Sequence, residues 1–185
     1  NGVLTEEDLA YVEARVDLDN FVDYQVAEIY FNNTDWPGNN VKLWRPRTPD
    51  GRWRWILFDT DNGFGRLGDR DVENNTLAFA TDPDGSTPTN LPESTLLFRR
   101  LLGSDSFRDR FVNRFADHLN ETFDPTRVVA TIDALADQIE PEIVRHQARW
   151  PESAANWALQ LDRMRAFAEQ RPTFVREHLR GSFGL

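Results

Sequence analysis

Residues 32–65 read NNTDWPGNNVKLWRPRTPDGRWRWILFDTDNGFG, and they predict a β-hairpin with polar residues at its open end. Residues 41–45 and 53–58 are two short runs rich in aromatic and β-branched side chains. The Thr-Pro-Asp-Gly sequence at residues 48–51 favours a turn between these two runs. We therefore expect two short antiparallel strands, with the rest of the chain arranged around them.

The position of the turn predicts which residues face each other across the hairpin. With Pro49 and Asp50 at its centre, the predicted pairs are Val41 with Phe58, Leu43 with Ile56, and Trp44 with Trp55. This register gives one apolar face, made of Val41, Leu43, Ile56 and Phe58. It also places Asn40 opposite Asp59, one tight turn away from Asp35. Two carboxylates and an amide are thus predicted to meet at one point.

The spacing of these polar residues is typical of phosphoryl transfer. Four residues separate Asp35 from Asn40, as in the D-x-x-x-x-N of a kinase catalytic loop, where the Asp orients the acceptor hydroxyl and the Asn holds Mg²⁺. The return strand ends in Asp59-Thr60-Asp61, and carboxylate and amide oxygens suit Mg²⁺. We take Asp35 as the candidate catalytic residue and Asn40, Asp59 and Asp61 as candidate metal ligands. The alternative is that these residues only start a turn and cap a strand.

Trp53 is the candidate for contact with a nucleotide base. Two-residue alternation along the return strand puts Trp53 on the same face as Asp59. A nucleotide whose phosphates meet a metal ion near Asp59 could stack its base on this ring, or on Trp55. Core packing is the alternative for both tryptophans.

The composition limits the possible partners. The 185 residues carry a net charge of -10, which argues against nucleic acid and anionic membranes and means that a bound nucleotide would need metal ions. The absence of cysteine excludes disulfides and thiolate metal sites. No apolar run approaches the roughly 20 residues of a membrane span, so no membrane-spanning segment is predicted.

Outside the hairpin the apolar periodicity is helical, which predicts an α+β, predominantly α-helical fold in one domain over residues 1–185. The predicted helices begin at Thr5, at a cap on Asp17 or Asp19, at Pro92, at a cap on Ser104, at Asp124-Pro125, at Ser153 and at Pro172. They end near residues 16, 31, 102, 123, 149, 169 and 179, with an interruption or restart at Pro141 and with Gly181 as a cap. Residues 66–91 have few apolar anchors and predict a long irregular loop.

Four segments of the chain resemble the spore-coat protein H-type (CotH) family of atypical, mostly secreted or surface-associated protein kinases. They are FVDYQVAEIYFNNTDWPGNNVKLWR, RWRWILFDTDNGFG, HQARW and QRPTFVREHL. The resemblance implies a protein-kinase-like C-terminal lobe, with Asp35 as the catalytic aspartate and Asn40 and Asp59 as metal ligands. It further implies ATP and Mg²⁺ or Mn²⁺ as cofactors, a protein Ser/Thr substrate and an extracytoplasmic location.

Parts that a kinase needs are missing upstream of Asp35, where no Gly-rich loop and no lysine occur. We therefore expect the chain to be the active-site lobe, with an N-terminal lobe in the same protein and little or no activity without it. Two alternatives remain: a non-catalytic cell-surface interaction module that binds partners through residues 66–91, and phosphate-ester hydrolysis by the same carboxylates.

Overall fold

The computed structural model describes residues 4–85, 87–151 and 157–185, and it is 61% helical with one two-stranded sheet, as predicted. The α-helices are α1 (Glu6–Glu13), α2 (Leu18–Phe31), α3 (Thr76–Thr81), α4 (Leu96–Leu101), α5 (Asp105–Asn120), α6 (Pro125–Arg149) and α7 (Trp157–Phe183). Strands β1 (Lys42–Trp44) and β2 (Arg54–Ile56) are antiparallel, and a 3₁₀-helix spans Asp69–Glu73. Across the described ranges, no helix combines the length and the apolar character needed to cross a bilayer.

Four helix starts coincide with predicted capping residues, whereas α4 begins at Leu96 and not at the predicted Pro92. The Thr5 hydroxyl accepts a hydrogen bond from the N–H of Asp8 at 3.1 Å, and the Asp8 carboxylate accepts one from the N–H of Thr5 at 2.9 Å. This is a capping box. Asp17, Ser104 and Asp124 cap α2, α5 and α6 through their side-chain oxygens. Local chemistry therefore explains why these helix starts could be predicted.

Helix α2 lies at the centre of the core, with ten of its side chains buried. It contacts α3, α5, α7 and β2. Its contacts are largely aromatic: the ring centre of Phe21 lies 4.6 Å from that of Trp55 on β2, and Tyr30 stacks on Phe123 at 3.9 Å. Because α2 ends just before Asp35, the core fixes the point from which the candidate site begins.

Helices α6 and α7 both continue through a proline. Pro141 lies inside α6, so the predicted interruption is wrong, and Pro172 lies inside α7, where the sequence predicts a break. A proline removes one backbone hydrogen bond from a helix. Pro172 is buried, whereas Pro141 lies on an exposed part of α6, and neither residue ends its helix. Gly181 is an internal residue of α7 rather than a cap, and Gly184 has the positive φ, 69°. The predicted start at Ser153 falls outside the described residues.

The hairpin pairs one residue away from the predicted register. The observed pairs are Lys42 with Ile56, Leu43 with Trp55, and Trp44 with Arg54. Since a one-residue slip moves side chains to the opposite face, Leu43 and Ile56 do not share a face. The predicted apolar face is therefore wrong, and residues 41–50 are all exposed.

Contacts with the junction of α1 and α2 explain the observed register. The backbone of Trp53 donates to the carbonyl of Arg15 at 2.7 Å and accepts from the N–H of Asp17 at 3.0 Å. The Asn20 side chain bonds both the N–H and the carbonyl of Trp55, at 2.7 and 3.2 Å. Because these bonds hold β2 against the core, the turn at residues 48–51 does not decide the pairing.

Residues 66–91 are not the irregular loop that the sequence predicts. They contain the 3₁₀-helix and α3, and the side chain of Asn75 caps α3 by accepting from the N–H of Ala78. Leu77 and Asn90 are buried within the fold. The many Asn and Thr residues here partly serve as caps and buried hydrogen-bonding groups, which a count of apolar anchors does not reveal.

Candidate active site

The chain leaves α2 through a turn, residues 33–40, that we call the Asp35 turn. Asn32 ends α2 in the left-handed conformation, with φ 56°, and the N–H of Asn33 donates to the carbonyl of Glu28 at 3.2 Å. Asn33 and Trp36 are buried, whereas Asp35 between them is half-buried. The backbone of the turn is therefore held by the core, while the Asp35 carboxylate remains accessible.

Two neighbouring amides hold the Asp35 carboxylate. The Nδ2 atom of Asn39 donates to Oδ1 of Asp35, and the Nδ2 atom of Asn40 donates to Oδ2, each at 2.9 Å. Each carboxylate oxygen has a further lone pair free to accept another hydrogen bond. The carboxylate is thus fixed in one orientation without losing its capacity to bind a hydroxyl group.

Asn40 also reaches the end of the return strand. Its Nδ2 atom lies 3.4 Å from the main-chain oxygen of Asp59. Both residues have φ of 55°, in the left-handed region that Asn and Asp adopt more readily than most residues. Such conformations occur often at functional sites. The structure therefore brings the side chains of Asp35 and Asn40 to the backbone of Asp59, although the hairpin register differs from the predicted one.

Asp61 lies close to a cation. Its side chain is 68% exposed, and a guanidinium nitrogen of Arg66 is 3.4 Å from its carboxylate. Arg66 also donates to the side chain of Asn62. In the part of the chain that the structure describes, no three His, Cys, Asp or Glu side chains form a metal site by themselves. A divalent ion here would therefore need the Asn40 amide oxygen, or oxygens from a bound ligand, in addition to the carboxylates.

The available oxygens suit a hard divalent cation. Asn40 directs Nδ2 toward Asp35 and Asp59, which leaves its Oδ1 available as a ligand. Asp59 is exposed and can turn its carboxylate toward the same point. Because Mg²⁺ and Mn²⁺ take few protein oxygens and complete their shells with water and phosphate, this set fits them. Asp61 could join only by leaving Arg66.

The loop that follows Asp59 is anchored to the end of α2. A Cβ atom on Gly63 would lie 2.6 Å from the carbonyl oxygen of Phe31, so only glycine fits at this position. The N–H of Phe64 donates to the same oxygen at 2.9 Å, and its ring lies 5.1 Å from Phe31 and 5.2 Å from Phe167, centre to centre. These contacts fix the loop downstream of the candidate metal ligands.

Arg171 joins α2 to the segment after the hairpin. Its side chain is fully buried, and it donates at 2.7–3.1 Å to the carbonyls of Ile29, Tyr30, Val72 and Asn74 and to the hydroxyl of Thr76. Burial lowers the pKa of Arg171 to about 10, so the guanidinium stays charged at neutral pH. One cation therefore connects the last turn of α2 with the 3₁₀-helix and α3.

Glu28 lies directly behind the Asp35 turn. Its carboxylate is fully buried and accepts a hydrogen bond from Nδ2 of Asn33 at 2.8 Å. Burial raises the pKa of Glu28 to about 7, although contacts with Asn33 and Tyr24 lower it. The Tyr24 hydroxyl is near enough to have this effect, yet neither it nor Oε1 of Glu28 has a well-formed hydrogen bond within the described ranges. Glu28 therefore keeps one oxygen without a fixed partner.

Trp53 lies at the turn side of the return strand. Its side chain is 40% exposed, and the guanidinium carbon of Arg45 is 5.1 Å from its ring centre. Because β2 ends at Ile56, strand alternation does not extend from Trp53 to Asp59. The ring is open to a ligand, and its role in nucleotide binding stays a prediction.

Sequence reasoning missed Glu28, Asn33 and Arg171. A signal for Glu28 exists, since it is an acidic residue on the apolar stripe that includes Phe21. Arg171 has no local signal, because its five acceptors lie at least 95 residues away along the chain. Only the folded chain brings them together.

Comparison with known proteins identifies the family. The family described as CotH kinase protein matches residues 2–175, which include every residue of the candidate site. No curated protein and no solved structure matches the chain at a significant level. The match covers nearly the whole chain and agrees with the motifs of the Asp35 turn and the return strand. The chain therefore belongs to the CotH kinase protein family.

Proposed function

We propose that this chain carries the active site of a protein kinase that transfers the γ-phosphoryl group of ATP to a Ser or Thr hydroxyl of a protein. Family membership supports a kinase-like function in general. The observation that carries the finer proposal is the position of Asn40, which bonds the carboxylate of Asp35 and the backbone of Asp59. In kinases the same three residue types orient the acceptor and hold the metal.

In this proposal Asp35 orients the acceptor hydroxyl and receives its proton. Asn39 and Asn40 keep the carboxylate from rotating away. Since most of the catalytic gain in phosphoryl transfer comes from positioning, the hydrogen bonds that fix Asp35 matter as much as its charge.

Asn40 and Asp59 would hold Mg²⁺ or Mn²⁺, and Asp61 is a third candidate ligand. When bound, the metal ion neutralises phosphate charge during transfer. This agrees with the net charge of -10, since a protein so acidic repels ATP that carries no cation. Asn40 would serve both functions, with Nδ2 on Asp35 and Oδ1 toward the metal ion.

The exposed hairpin is where we propose that an N-terminal lobe of the same protein docks. Six large apolar side chains of residues 41–57 are each 40–47% exposed: Val41, Leu43, Trp44, Trp53, Ile56 and Leu57. Exposed apolar side chains gathered on one hairpin are typical of an interface. The chain would then be a kinase-like C-terminal lobe, with little or no phosphotransfer by itself and with Trp53 as the base-stacking residue. An extracytoplasmic location remains a proposal from the family resemblance.

A non-catalytic interaction module is the second candidate function. The exposed apolar hairpin favours it, because this surface could bind a partner without any chemistry. Only the kinase proposal requires a divalent ion and a nucleotide to bind at Asp59, so binding separates the two.

The test is calorimetric titration of the chain with Mg²⁺ or Mn²⁺ together with a non-hydrolysable ATP analogue. The variants are wild type, Asp59→Asn, and Asp109→Asn as a control that removes one exposed carboxylate from α5. We expect a binding signal in wild type and Asp109→Asn that is lost in Asp59→Asn.

A signal that survives in Asp59→Asn would overturn the assignment of Asp59. Absence of any signal in every form of the protein, including the full-length one, would favour the interaction module. Phosphate release from ATP without an acceptor, if lost in Asp59→Asn, would instead indicate hydrolysis by the same carboxylates.

A further inference from the structure

Glu28 is a fully buried carboxylate on a helix whose other buried residues are mostly apolar. A buried carboxylate is costly unless it is hydrogen-bonded. The role proposed for Asp35 does not use Glu28, and the Glu28 side chain has no exposed surface through which it could contact a substrate. Its presence therefore calls for a reason other than direct contact with a substrate.

A continuous set of hydrogen bonds leads from Glu28 to Asp35. The carboxylate of Glu28 accepts from Nδ2 of Asn33 at 2.8 Å, and Oδ1 of Asn33 accepts from the backbone N–H of Asp35 at 3.1 Å. The N–H of Asn33 also bonds the main-chain oxygen of Glu28 at 3.2 Å. Asn33 is thus held by Glu28 at two points, and it holds the backbone of Asp35.

The chemistry of the two side chains sets which group donates and which accepts in this series of hydrogen bonds. The Glu28 oxygen that faces Asn33 acts as an acceptor, so it pairs with the NH₂ end of the Asn33 amide. The carbonyl end must then face the N–H of Asp35. If the amide were reversed, an oxygen would face the carboxylate and two N–H groups would face each other. Glu28 therefore determines which end of Asn33 meets Asp35.

We propose that Glu28 is a positioning residue that acts through Asn33 to fix the backbone of Asp35 in its catalytic orientation. The catalytic part of this inference rests on the proposed kinase function, whereas the hydrogen-bond chain can be tested without it. A glutamine at position 28 would keep one carbonyl oxygen for Asn33 and turn its NH₂ group toward the Tyr24 hydroxyl. Glutamine at position 28 should therefore preserve the hydrogen bond to Asn33, whereas an apolar residue should not.

The first test is amide hydrogen exchange measured by NMR on this chain. The variants are Glu28→Leu, Glu28→Gln and Asn33→Ala, and Gln25→Leu serves as a control because Gln25 is a buried polar residue on the same helix. Exchange of the Asp35 N–H is compared with that of Phe111, a core residue of α5 that reports global opening.

We expect the Asp35 N–H to exchange at least about fivefold faster, relative to Phe111, in Glu28→Leu and Asn33→Ala. In Glu28→Gln and Gln25→Leu the ratio should match wild type. Equal Asp35 protection in Asn33→Ala and wild type overturns the inference even if Glu28→Leu does not fold. Equal protection in Glu28→Leu overturns it as well.

The second test is phosphotransfer by the full-length protein. In Glu28→Leu we expect kcat to fall about tenfold with the KM for ATP unchanged, and Glu28→Gln should restore it. A Glu28→Leu, Asn33→Ala double variant should lose no more activity than either single variant, because both substitutions break the same series of hydrogen bonds.

The two proposals fail in different ways. If wild type transfers no more phosphate than Asp35→Asn, the kinase function is overturned, and the exchange experiment alone decides the hydrogen-bond chain. If wild type is active and Glu28→Leu keeps its kcat, the positioning role is overturned while the kinase function stands.

Discussion

The region behind the Asp35 turn and the hairpin in front of it differ in almost every physical property. Behind the turn, Glu28, Asn33 and Arg171 are fully buried. Glu28 and Asn33 bond to each other across the end of α2, and Arg171 bonds to segments distant in sequence. In front, residues 41–50 are exposed, and Asp59 is open to solvent. Asp35 lies at the boundary between the two regions.

This contrast shows how one turn can be both rigid and accessible. The buried polar groups fix the backbone, so their loss should cost stability. The exposed carboxylates make few contacts with the fold, so their loss should cost ligand binding and little else. Substitutions in front of the turn should therefore lower activity alone, whereas substitutions behind it should lower stability and, at Glu28, activity as well.

The largest effect is expected for Arg171→Met. This change leaves four carbonyls and one hydroxyl without their donor in the interior, and each such group costs about 1–3 kcal/mol. We expect the free energy of unfolding, measured with urea, to fall by more than about 3 kcal/mol, or the chain not to fold. Arg165→Met on the same helix removes only exposed ion pairs and should cost less than about 1 kcal/mol. Equal losses would contradict the scaffold role of Arg171.

The next effect is loss of activity in Asp59→Ala. In the full-length protein we expect phosphotransfer to fall at least about 100-fold, because a ligand to the charge-stabilising metal is removed. The helical circular dichroism should remain that of wild type, since the side chain is exposed. The midpoint of thermal unfolding should fall only slightly, because alanine tolerates the left-handed φ of 55° less well than aspartate does. Asp61→Ala should lose less, because Asp61 already contacts Arg66. Near-wild-type turnover in Asp59→Ala would count against the site.

Glu28→Gln should change how stability depends on pH. Burial raises the pKa of Glu28 from 4.5 to about 7, so between these values the folded chain binds more protons than the unfolded chain, and wild type loses stability as the pH rises. The variant lacks this loss. Its stability relative to wild type should therefore increase by up to about 3 kcal/mol between pH 4 and pH 8.

Urea unfolding across that pH range measures the change. Asp109→Asn, which alters an exposed carboxylate, should differ from wild type by a nearly constant amount. A constant difference for Glu28→Gln as well would mean that Glu28 is not a buried carboxylate of raised pKa.

The smallest effect is expected for Trp53→Ala. If the ring stacks on the base of ATP, the KM for ATP in the full-length protein should rise about 2- to 10-fold, as for other aromatic contacts. Trp150→Ala is the matched control, because Trp150 is also an exposed tryptophan near an arginine but lies at the end of α6, away from the hairpin sequence. An equal change in both variants, or none in Trp53→Ala, would remove Trp53 from the site.

Sequence rules predicted a structural feature correctly where its cause lies within a few residues in the sequence. The capping residues Thr5, Asp17, Ser104 and Asp124 predicted helix starts, because an N-cap side chain lies next to the first turn of its helix in sequence. The same rules failed at Pro141 and Pro172, where the helix continues although one backbone hydrogen bond is lost.

The candidate site divides in the same way. The sequence alone determined that Asp35, Asn40 and Asp59 would meet, because a short turn and a folded-back strand bring them close in any nearby register. Only the tertiary structure decided the register itself, through the bonds of Trp53 to Arg15 and Asp17 and of Trp55 to Asn20. It also decided how Glu28 and Arg171 support the site. A hairpin of three-residue strands has too few pairs to fix its own alignment, and a buried polar group finds its partners only after the core has formed.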